Sequence, residues 1–276
     1  MKYGGGILLV LAAGFFLPDA GQKSLSGARE ADRVDGRAPV VVELFTSEGC
    51  SSCPPADALL AELESRQPLE TAEIIAIEEH VDYWDQQGWV DPFSSANWTN
   101  RQYVYSGSLK NGSPYTPQMV VDGKEEFVGS RTAKAREAIE NAAAARKVKV
   151  NISEVPPARN RSVILNIGVE RLLNSTPSET PEVLLAITEA GLHSSVTGGE
   201  NTGRELRHAS VLRELKVIGV ADGNNPVPFT AQRTVKLNSA WKSENLRAVV
   251  FVQEKKSRRI LGAAAVEIAR EDRELR

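Results

Sequence analysis

VVVELFTSEGCSSCPPADALLAEL, residues 40–63, is the most informative stretch of the chain. An apolar run rich in β-branched residues precedes a Cys-x-x-Cys pair, and apolar residues at helical spacing follow that pair. Pro54 and Pro55 suit the first turn of a helix, where backbone N–H groups have no partner inside the helix. The stretch therefore predicts a strand, a short loop that carries both cysteines, and a helix.

Cys50 and Cys53 are the only two cysteines in the 276 residues. A disulfide across so short a loop stabilises a fold by only about 2 kcal/mol in the chain-entropy model. Cys-x-x-Cys pairs serve thiol–disulfide exchange or metal binding, and a structural zinc site needs further ligands at close spacing. The three histidines, His80, His193 and His208, are scattered along the chain. Redox exchange is therefore the favoured chemistry.

The composition is that of an ordinary globular protein, with 41% hydrophobic and 25% charged residues. A net charge of −3 without a basic stripe argues against nucleic-acid binding. Residues 1–20 have a basic start and an apolar segment, which predict a signal peptide or a retained N-terminal anchor and no other membrane contact. Residues 21–38 predict a flexible leader. We expect a periplasmic or secreted protein, because disulfides persist in oxidising compartments.

The remaining chain divides into two halves with different patterns. Residues 39–147 alternate between strand and helix patterns, and Asp122-Gly123 is a hairpin-turn signal. Residues 148–276 contain β-branched segments separated by Pro, Gly and Asn clusters, which predict an all-β sandwich-like domain. The predicted strands of this second half are Val148–Ile152, Val163–Val169, Val183–Ile187, Val211–Val220, Thr234–Leu237, Leu246–Val252 and Ile260–Val266.

The order of elements over residues 39–147 resembles the thioredoxin fold. Two motifs carry this resemblance: Cys50 and Cys53 at a strand-to-helix junction, and Thr116-Pro117 at the start of a hairpin. In thioredoxin-like proteins that proline is cis and lies beside the disulfide, where the residue before it binds an extended substrate. The resemblance implies an α/β thioredoxin-like domain followed by the sandwich-like domain, with Thr116 and Pro117 binding substrate.

A narrower resemblance covers the cysteine motif itself. VELFTSEGCSSCPPAD, residues 42–57, is similar to a motif of a bacterial exported family of unknown function that is classed as thioredoxin-like. HVDYWD, residues 80–85, and GWVDPF, residues 88–93, strengthen the match.

The chain departs from thioredoxins near the cysteines. Gly49 replaces the usual tryptophan, and Leu44 stands where thioredoxins have a buried acid. Glu43 comes one residue earlier, which in a regular strand points to the opposite face. Because a carboxylate in an apolar strand is costly unless it is paired, Glu43 either transfers protons for the cysteines or has a hydrogen-bonded structural role. Glu48 is expected to face solvent.

The resulting mechanism makes Cys50 the nucleophile and Cys53 the resolving thiol. A helix N-terminus favours the Cys50 thiolate through backbone amides and the helix dipole. His80, Asp82 and Trp84 follow a second buried strand at its carboxyl end, where sites of α/β proteins usually form. They form either a substrate-binding or proton-shuttling wall, or ordinary core packing.

Two further segments receive simpler interpretations. The glycine-rich residues 198–204 do not match a phosphate-binding pattern and predict a turn. His193 and His208 are expected to be ordinary surface or core residues.

These observations favour an exported thiol–disulfide oxidoreductase that acts on protein thiols or disulfides with a redox partner, without a cofactor or a metal. Two alternatives stay open. Cys50, Cys53 and His80 could form a copper-binding module, because soft thiolates suit Cu(I). The chain could also be a non-catalytic thioredoxin-like binding protein with a vestigial disulfide, an alternative that an inaccessible Cys50 sulfur would favour.

Overall fold

The computed structural model describes residues 1–2, 29–30, 36–110, 112–159, 161–172, 176, 178–222 and 227–268. The expected signal or anchor segment, from residue 3 onward, and most of the expected leader lie outside these residues. Within the described part of the chain, no helix is both long enough and apolar enough to cross a membrane.

Helices and strands alternate in the first half, and strands follow in the second. The helices are α1 (Pro54–Arg66), α2 (Ala96–Leu109) and α3 (Thr132–Ala144). The strands are β1 (Arg29–Glu30), β2 (Ala38–Thr46), β3 (Ala72–His80), β4 (Gln118–Val121), β5 (Glu125–Val128), β6 (Val150–Arg159), β7 (Ser162–Val169), β8 (Pro181–Ser195), β9 (Glu205–Val220), β10 (Phe229–Lys236), β11 (Leu246–Glu254) and β12 (Ile260–Glu267). Each of the seven strands expected in the second half overlaps one of these.

Local sequence signals account for the ends of several elements. Cys53 is the N-cap of α1, so the two prolines that follow it occupy the first two helical positions. Ser95 caps α2, since its side-chain oxygen accepts a hydrogen bond from the N–H of Asn97. Asp122 and Gly123 have φ angles of 47° and 64° and are the central residues of the turn between β4 and β5, in which the N–H of Lys124 donates to the carbonyl of Val121 at 3.0 Å. The predicted helix after the cysteine pair and the predicted turn at Asp122-Gly123 are confirmed.

The larger of two sheets contains strands from both halves of the chain. Its order is β12-β11-β8-β9-β3-β2-β4-β5. β2 and β3 are parallel over their whole length, and β9 joins β3 in parallel through one paired position, Glu78 with Val211. The other neighbouring strands of this sheet are antiparallel. A second sheet has the order β1-β6-β7-β10.

The expected fold class, an α/β thioredoxin-like domain followed by an all-β sandwich-like domain, is wrong. Four strands of the second half extend the sheet that β2–β5 begin, so one mixed sheet of eight strands spans both halves. Local periodicity predicts single strands but carries no information on which sheet edge a distant strand joins. The division at residue 147, between α3 and β6, stays a prediction.

Among the described residues, alternation along the strands builds three large apolar cores and a smaller fourth one. Side chains on one face of β2 and β3, including Val42 and Ile74, pack against α1 and α3. Side chains on the opposite face, including Val41 and Ile75, pack with Phe251 and with residues of β8 and β12. The four-stranded sheet packs against the remaining face of β8, β11 and β12. Because the second core draws on both halves of the chain, it couples their stabilities.

Phe251→Ala tests that coupling. Phe251 is fully buried in the shared core, so its truncation should lower the free energy of unfolding by about 3–5 kcal/mol. Urea unfolding followed by tryptophan fluorescence and by circular dichroism should give one shifted transition with both probes. Val217→Ala, at a half-exposed position of β9, is the control and should change stability by less than about 0.5 kcal/mol. Two separated transitions would contradict the shared core.

Candidate functional site

The two cysteines form a disulfide in the loop between β2 and α1. Cys50 and Cys53 have Cα atoms 5.4 Å apart, and both residues are fully buried, whereas Ser51 and Ser52 between them are exposed. The Ser52 hydroxyl lies 3.4 Å from Sγ of Cys50. A disulfide sulfur has no proton to donate, so the hydroxyl is the donor in this contact.

The start of α1 offers few free amides to Cys50. Pro54 and Pro55 have no N–H, and the N–H groups of Ala56 and Asp57 donate to the carbonyl of Cys53. The N–H of Cys53 donates to the carbonyl of Cys50 at 3.2 Å. Ser52 therefore provides Cys50 with a side-chain donor in addition to the backbone amides, on which the thiolate is expected mainly to depend.

Trp84 and the Thr116-Pro117 peptide lie on one side of the cysteine loop. The Thr116-Pro117 bond is cis, and Nε1 of Trp84 donates to Oγ1 of Thr116 at 2.9 Å. Gly49 lies against the same tryptophan, since a Cβ on this glycine would be 3.0 Å from Cβ of Trp84. The structure thus brings together Trp84, Thr116 and the loop before Cys50.

Asp82 has a different environment. Its carboxylate accepts a hydrogen bond from Oγ1 of Thr99 at 2.6 Å. Oγ1 of Thr99 in turn accepts a hydrogen bond from the backbone N–H of Asp82 at 3.0 Å. These contacts fix the loop after β3 to α2. Asp82 therefore connects the loop after β3 to α2 through Thr99.

The second half of the chain covers the cysteine loop. Nδ2 of Asn201 donates to the carbonyl oxygens of Glu48 and Cys50, at 2.8 and 3.0 Å. The Glu200 carboxylate accepts from the N–H of Ser51 at 3.1 Å. Residues 198–204 do form a turn, as expected, but the turn also holds the loop that carries the disulfide. No sequence pattern indicated this contact.

Beside the loop lies a buried group that we call the histidine–carboxylate cluster: Glu48, Glu78, His80, Asp91 and His208. Nδ1 of His80 donates to Oδ2 of Asp91 at 2.7 Å. Nδ1 of His208 is 2.7 Å from Oε1 of Glu78, and its Nε2 is 3.0 Å from Oε1 of Glu48. The N–H of Glu48 donates to Oδ2 of Asp91 at 2.8 Å. The cluster therefore joins β3, β9 and the cysteine loop.

Ion pairing outweighs burial in this cluster. Burial opposes the charged form of each group. Asp91 and then Glu78 nevertheless raise the pKa of His80 well above its ordinary value, and Glu78 with Glu48 raises the pKa of His208 to about 9. Burial is likewise outweighed at Glu78, because His208 and His80 lower the pKa of this carboxyl group to about 2.

Asp57 lies in α1, one turn after Cys53, and is buried. Positions four residues apart share a helix face. Its Oδ1 accepts a hydrogen bond from Oγ1 of Thr46 at 2.6 Å. Burial, and then the negative charge of Glu78, raises the pKa of Asp57 to about 7. Asp57 is thus a carboxyl group that can exchange a proton near neutral pH.

Glu43 belongs to a separate buried network on the opposite face of the sheet. Nε and Nη2 of Arg101 donate to its Oε1 at 2.7 and 2.5 Å, and the Tyr105 hydroxyl donates to Oε2. Arg101 also lies 3.3 Å from Oε1 of Glu79, and burial raises the pKa of Glu79 well above its ordinary value. All these partners favour the hydrogen-bonded structural role of Glu43.

Several residues of the site were not found by sequence reasoning. Glu48 was expected to face solvent and is fully buried, and His208 was expected to be ordinary and belongs to the cluster. The sequence Glu78-Glu79-His80 at the end of an apolar strand was a usable signal, because three buried polar groups require partners. The residues missed are Glu48, Asp57, Asp91, Asn201 and His208.

A family model described as "Protein of unknown function (DUF1223)" matches residues 41–253, more than half of the chain. The chain belongs to the DUF1223 family. The match confirms the resemblance of residues 42–57 to a motif of a family of unknown function. No curated protein matches its sequence.

Two solved structures share the fold of this DUF1223 protein. A protein from Agrobacterium tumefaciens is 24% identical with a TM-score of 0.62, over 84% of this chain and 96% of that one. HBP35 of Porphyromonas gingivalis is 13% identical with a TM-score of 0.61, over 84% of this chain and 76% of that one. At these identities the likeness concerns the fold alone. A domain of the outer membrane lipoprotein Omp28 from Porphyromonas gingivalis gives a TM-score of 0.27, which is too low to support an inference.

Glu43→Leu distinguishes a structural role of Glu43 from proton transfer. Removing this carboxylate deprives the buried Arg101 guanidinium of its shortest ion pair, so the free energy of unfolding should fall by about 3–5 kcal/mol. Adding Arg101→Met should restore at least half of the loss, because the buried charge is then also removed. Urea denaturation measures both changes. Unchanged stability combined with loss of thiol–disulfide exchange would instead assign Glu43 to proton transfer.

Proposed function

We propose that this protein is an exported thiol–disulfide oxidoreductase that acts on protein thiols or disulfides through Cys50 and Cys53. The observation that supports this most directly is the disulfide itself, which closes a four-residue loop at the start of α1. So short a crosslink contributes little stability. Its formed state fits the periplasmic or secreted location that we propose, since such compartments are oxidising.

The exchange proceeds in two balanced steps from the dithiol form. The Cys50 thiolate attacks one sulfur of a substrate disulfide, so that a mixed disulfide forms and the second substrate sulfur leaves as a thiolate. The Cys53 thiolate then attacks Sγ of Cys50, which restores the disulfide and releases the first substrate sulfur. The substrate gains two electrons, and a thiol-containing redox partner returns the protein to the dithiol. Reversal of these steps oxidises a substrate dithiol.

Neighbouring groups assist both steps. The Ser52 hydroxyl donates to the Cys50 sulfur, and this bond strengthens when the sulfur becomes a thiolate. Asp57, one turn after Cys53, accepts the proton of the Cys53 thiol as that group becomes nucleophilic. The observations behind this role are the shared helix face, the burial of Asp57 and its raised pKa.

Thr116 and Pro117 are the proposed substrate-binding residues. Thr116 is partly exposed and its hydroxyl is fixed by Trp84, while Pro117 is buried and its carbonyl accepts from the N–H of Gly129 at 2.9 Å. A fixed backbone at this position, next to Trp84, can align an extended segment of a substrate protein.

One observation favours a second function. Cys50 and Cys53 are fully buried, which suits a non-catalytic binding protein with an inert disulfide. Under the primary proposal the loop that Asn201 holds must open before substrate sulfur reaches Cys50. The copper alternative has less support, because the disulfide offers no thiolate.

Cysteine variants test the proposed function. Cys53→Ala should accumulate mixed disulfides with protein substrates, because the resolving thiol is missing, and Cys50→Ala should abolish exchange. Non-reducing electrophoresis after acid quenching detects the trapped species. Retained exchange in Cys50→Ala would overturn the assigned roles. Resistance of the wild-type disulfide to dithiothreitol and glutathione in the folded protein would favour the binding function.

Ser52→Ala tests the side-chain donor at Cys50. Loss of one hydrogen bond to the thiolate, worth about 1–1.4 kcal/mol, should slow alkylation of Cys50 at neutral pH about fivefold to tenfold. The measurement uses iodoacetamide and the Cys53→Ala background, in which Cys50 is the sole thiol. Ser51→Ala is the matched control and should react at the parent rate. Equal rates for both serine variants would contradict a role of the Ser52 hydroxyl.

A further inference from the structure

The histidine–carboxylate cluster contains two imidazole rings that are each fixed at one nitrogen by a carboxylate. Asp91 accepts a hydrogen bond from Nδ1 of His80 at 2.7 Å, and Glu48 faces Nε2 of His208 at 3.0 Å. The remaining nitrogens, Nε2 of His80 and Nδ1 of His208, both face Oε1 of Glu78, at 3.5 and 2.7 Å. Three potential ligand atoms thus converge on one point.

One of these atoms makes no hydrogen bond, although it lies within ion-pair distance of Glu78. Nε2 of His80 is buried and makes no hydrogen bond with any residue that the structure describes. A buried polar atom without a partner costs about 1–3 kcal/mol, so such atoms usually have a ligand or a water. Since Asp91 holds the proton on Nδ1, a neutral His80 ring has its free lone pair on Nε2, directed toward Glu78.

The arrangement has the features of a metal site. The ligand atoms of Glu78, His80 and His208 all lie within 4.8 Å of one another. Metal-bound histidines usually donate their other ring N–H to a carboxylate, which is the relation that Asp91 and Glu48 provide. The second oxygen of Glu78, Oε2, accepts from the backbone N–H of Ala209 at 2.8 Å, which fixes that carboxylate.

One of the two distances from an imidazole nitrogen to Glu78 already suits a tetrahedral ion. Ligands about 2.0–2.2 Å from Zn²⁺ lie about 3.3–3.5 Å from one another in that geometry, close to the 3.5 Å between Nε2 of His80 and Oε1 of Glu78. The 2.7 Å between Nδ1 of His208 and the same oxygen must widen by about 0.6–0.8 Å. Phe93 packs on both rings, with centroids 5.4 and 5.5 Å away, and supplies an apolar wall.

We propose that Glu78, His80 and His208 bind one divalent transition-metal cation, of which Zn²⁺ is the test case. Two imidazoles and a carboxylate suit Zn²⁺ and other borderline cations better than Ca²⁺ or Mg²⁺, which prefer oxygen ligands. The ion connects β3 to β9 at their one paired position. Its ligands include no sulfur, so the site is independent of the cysteines and of the proposed redox function.

The test measures Zn²⁺ binding to the EDTA-treated full-length protein by isothermal titration calorimetry. We expect one ion per chain. His80→Asn keeps a donor for Asp91 and removes Nε2, and His208→Gln keeps a donor for Glu48 and removes Nδ1, so each should weaken binding at least about 100-fold. His193→Asn, at an exposed position, and the double variant Cys50→Ala, Cys53→Ala should bind Zn²⁺ like the wild type.

X-ray absorption spectroscopy of the zinc-loaded wild type does not depend on the folding of a variant. We expect nitrogen and oxygen ligands at about 2.0–2.1 Å with scattering from two imidazoles and no sulfur. Absence of saturable Zn²⁺ binding in the wild type, unchanged affinity in both histidine variants, or a sulfur ligand would each overturn the proposal. If the wild type shows no saturable Zn²⁺ binding, the cluster consists of protonated imidazoles paired with carboxylates and holds no metal ion.

Discussion

Strand β9 reaches the N-terminal half of the large sheet through one paired position, Glu78 with Val211, and the buried ion pairs of the histidine–carboxylate cluster lie beside that position. A single ladder position fixes two strands weakly. Charged groups in a dry interior are stable only when each has a partner, so the cluster restricts the two strands to one relative position. The arrangement of the C-terminal strands relative to α1 and the cysteine loop depends on this contact.

Strand alternation explains how one short sequence supplies two buried networks. In Glu78-Glu79-His80, the first and third side chains face α1 and meet His208, while Glu79 faces α2 and meets Arg101. Glu43 lies on the same face as Glu79 and shares its arginine. The site beside the disulfide therefore consists of groups from one face of the sheet. Glu43, whose position in the sequence is nearest to that of the thioredoxin carboxylate, belongs to the opposite face.

The sequence was informative wherever a signal was local. The strand before Cys50, the prolines that begin α1, and the Asp122-Gly123 turn all follow from propensities of a few adjacent residues. The union of both halves into one sheet was not predictable, because His208 meets Glu78 across 130 positions and nothing in its own strand distinguishes it from an ordinary residue. The burial of Glu48 follows from the same distant contact.

The contact of β3 with β9 also sets a condition on the synthesis of the protein. Until β9 has emerged from the ribosome, β3 has an open edge with unpaired backbone groups, and Glu78 near its end lacks its partner His208. An open parallel edge is a template for pairing with other chains. This segment of the nascent polypeptide is therefore exposed to aggregation until β9 is available to pair with it.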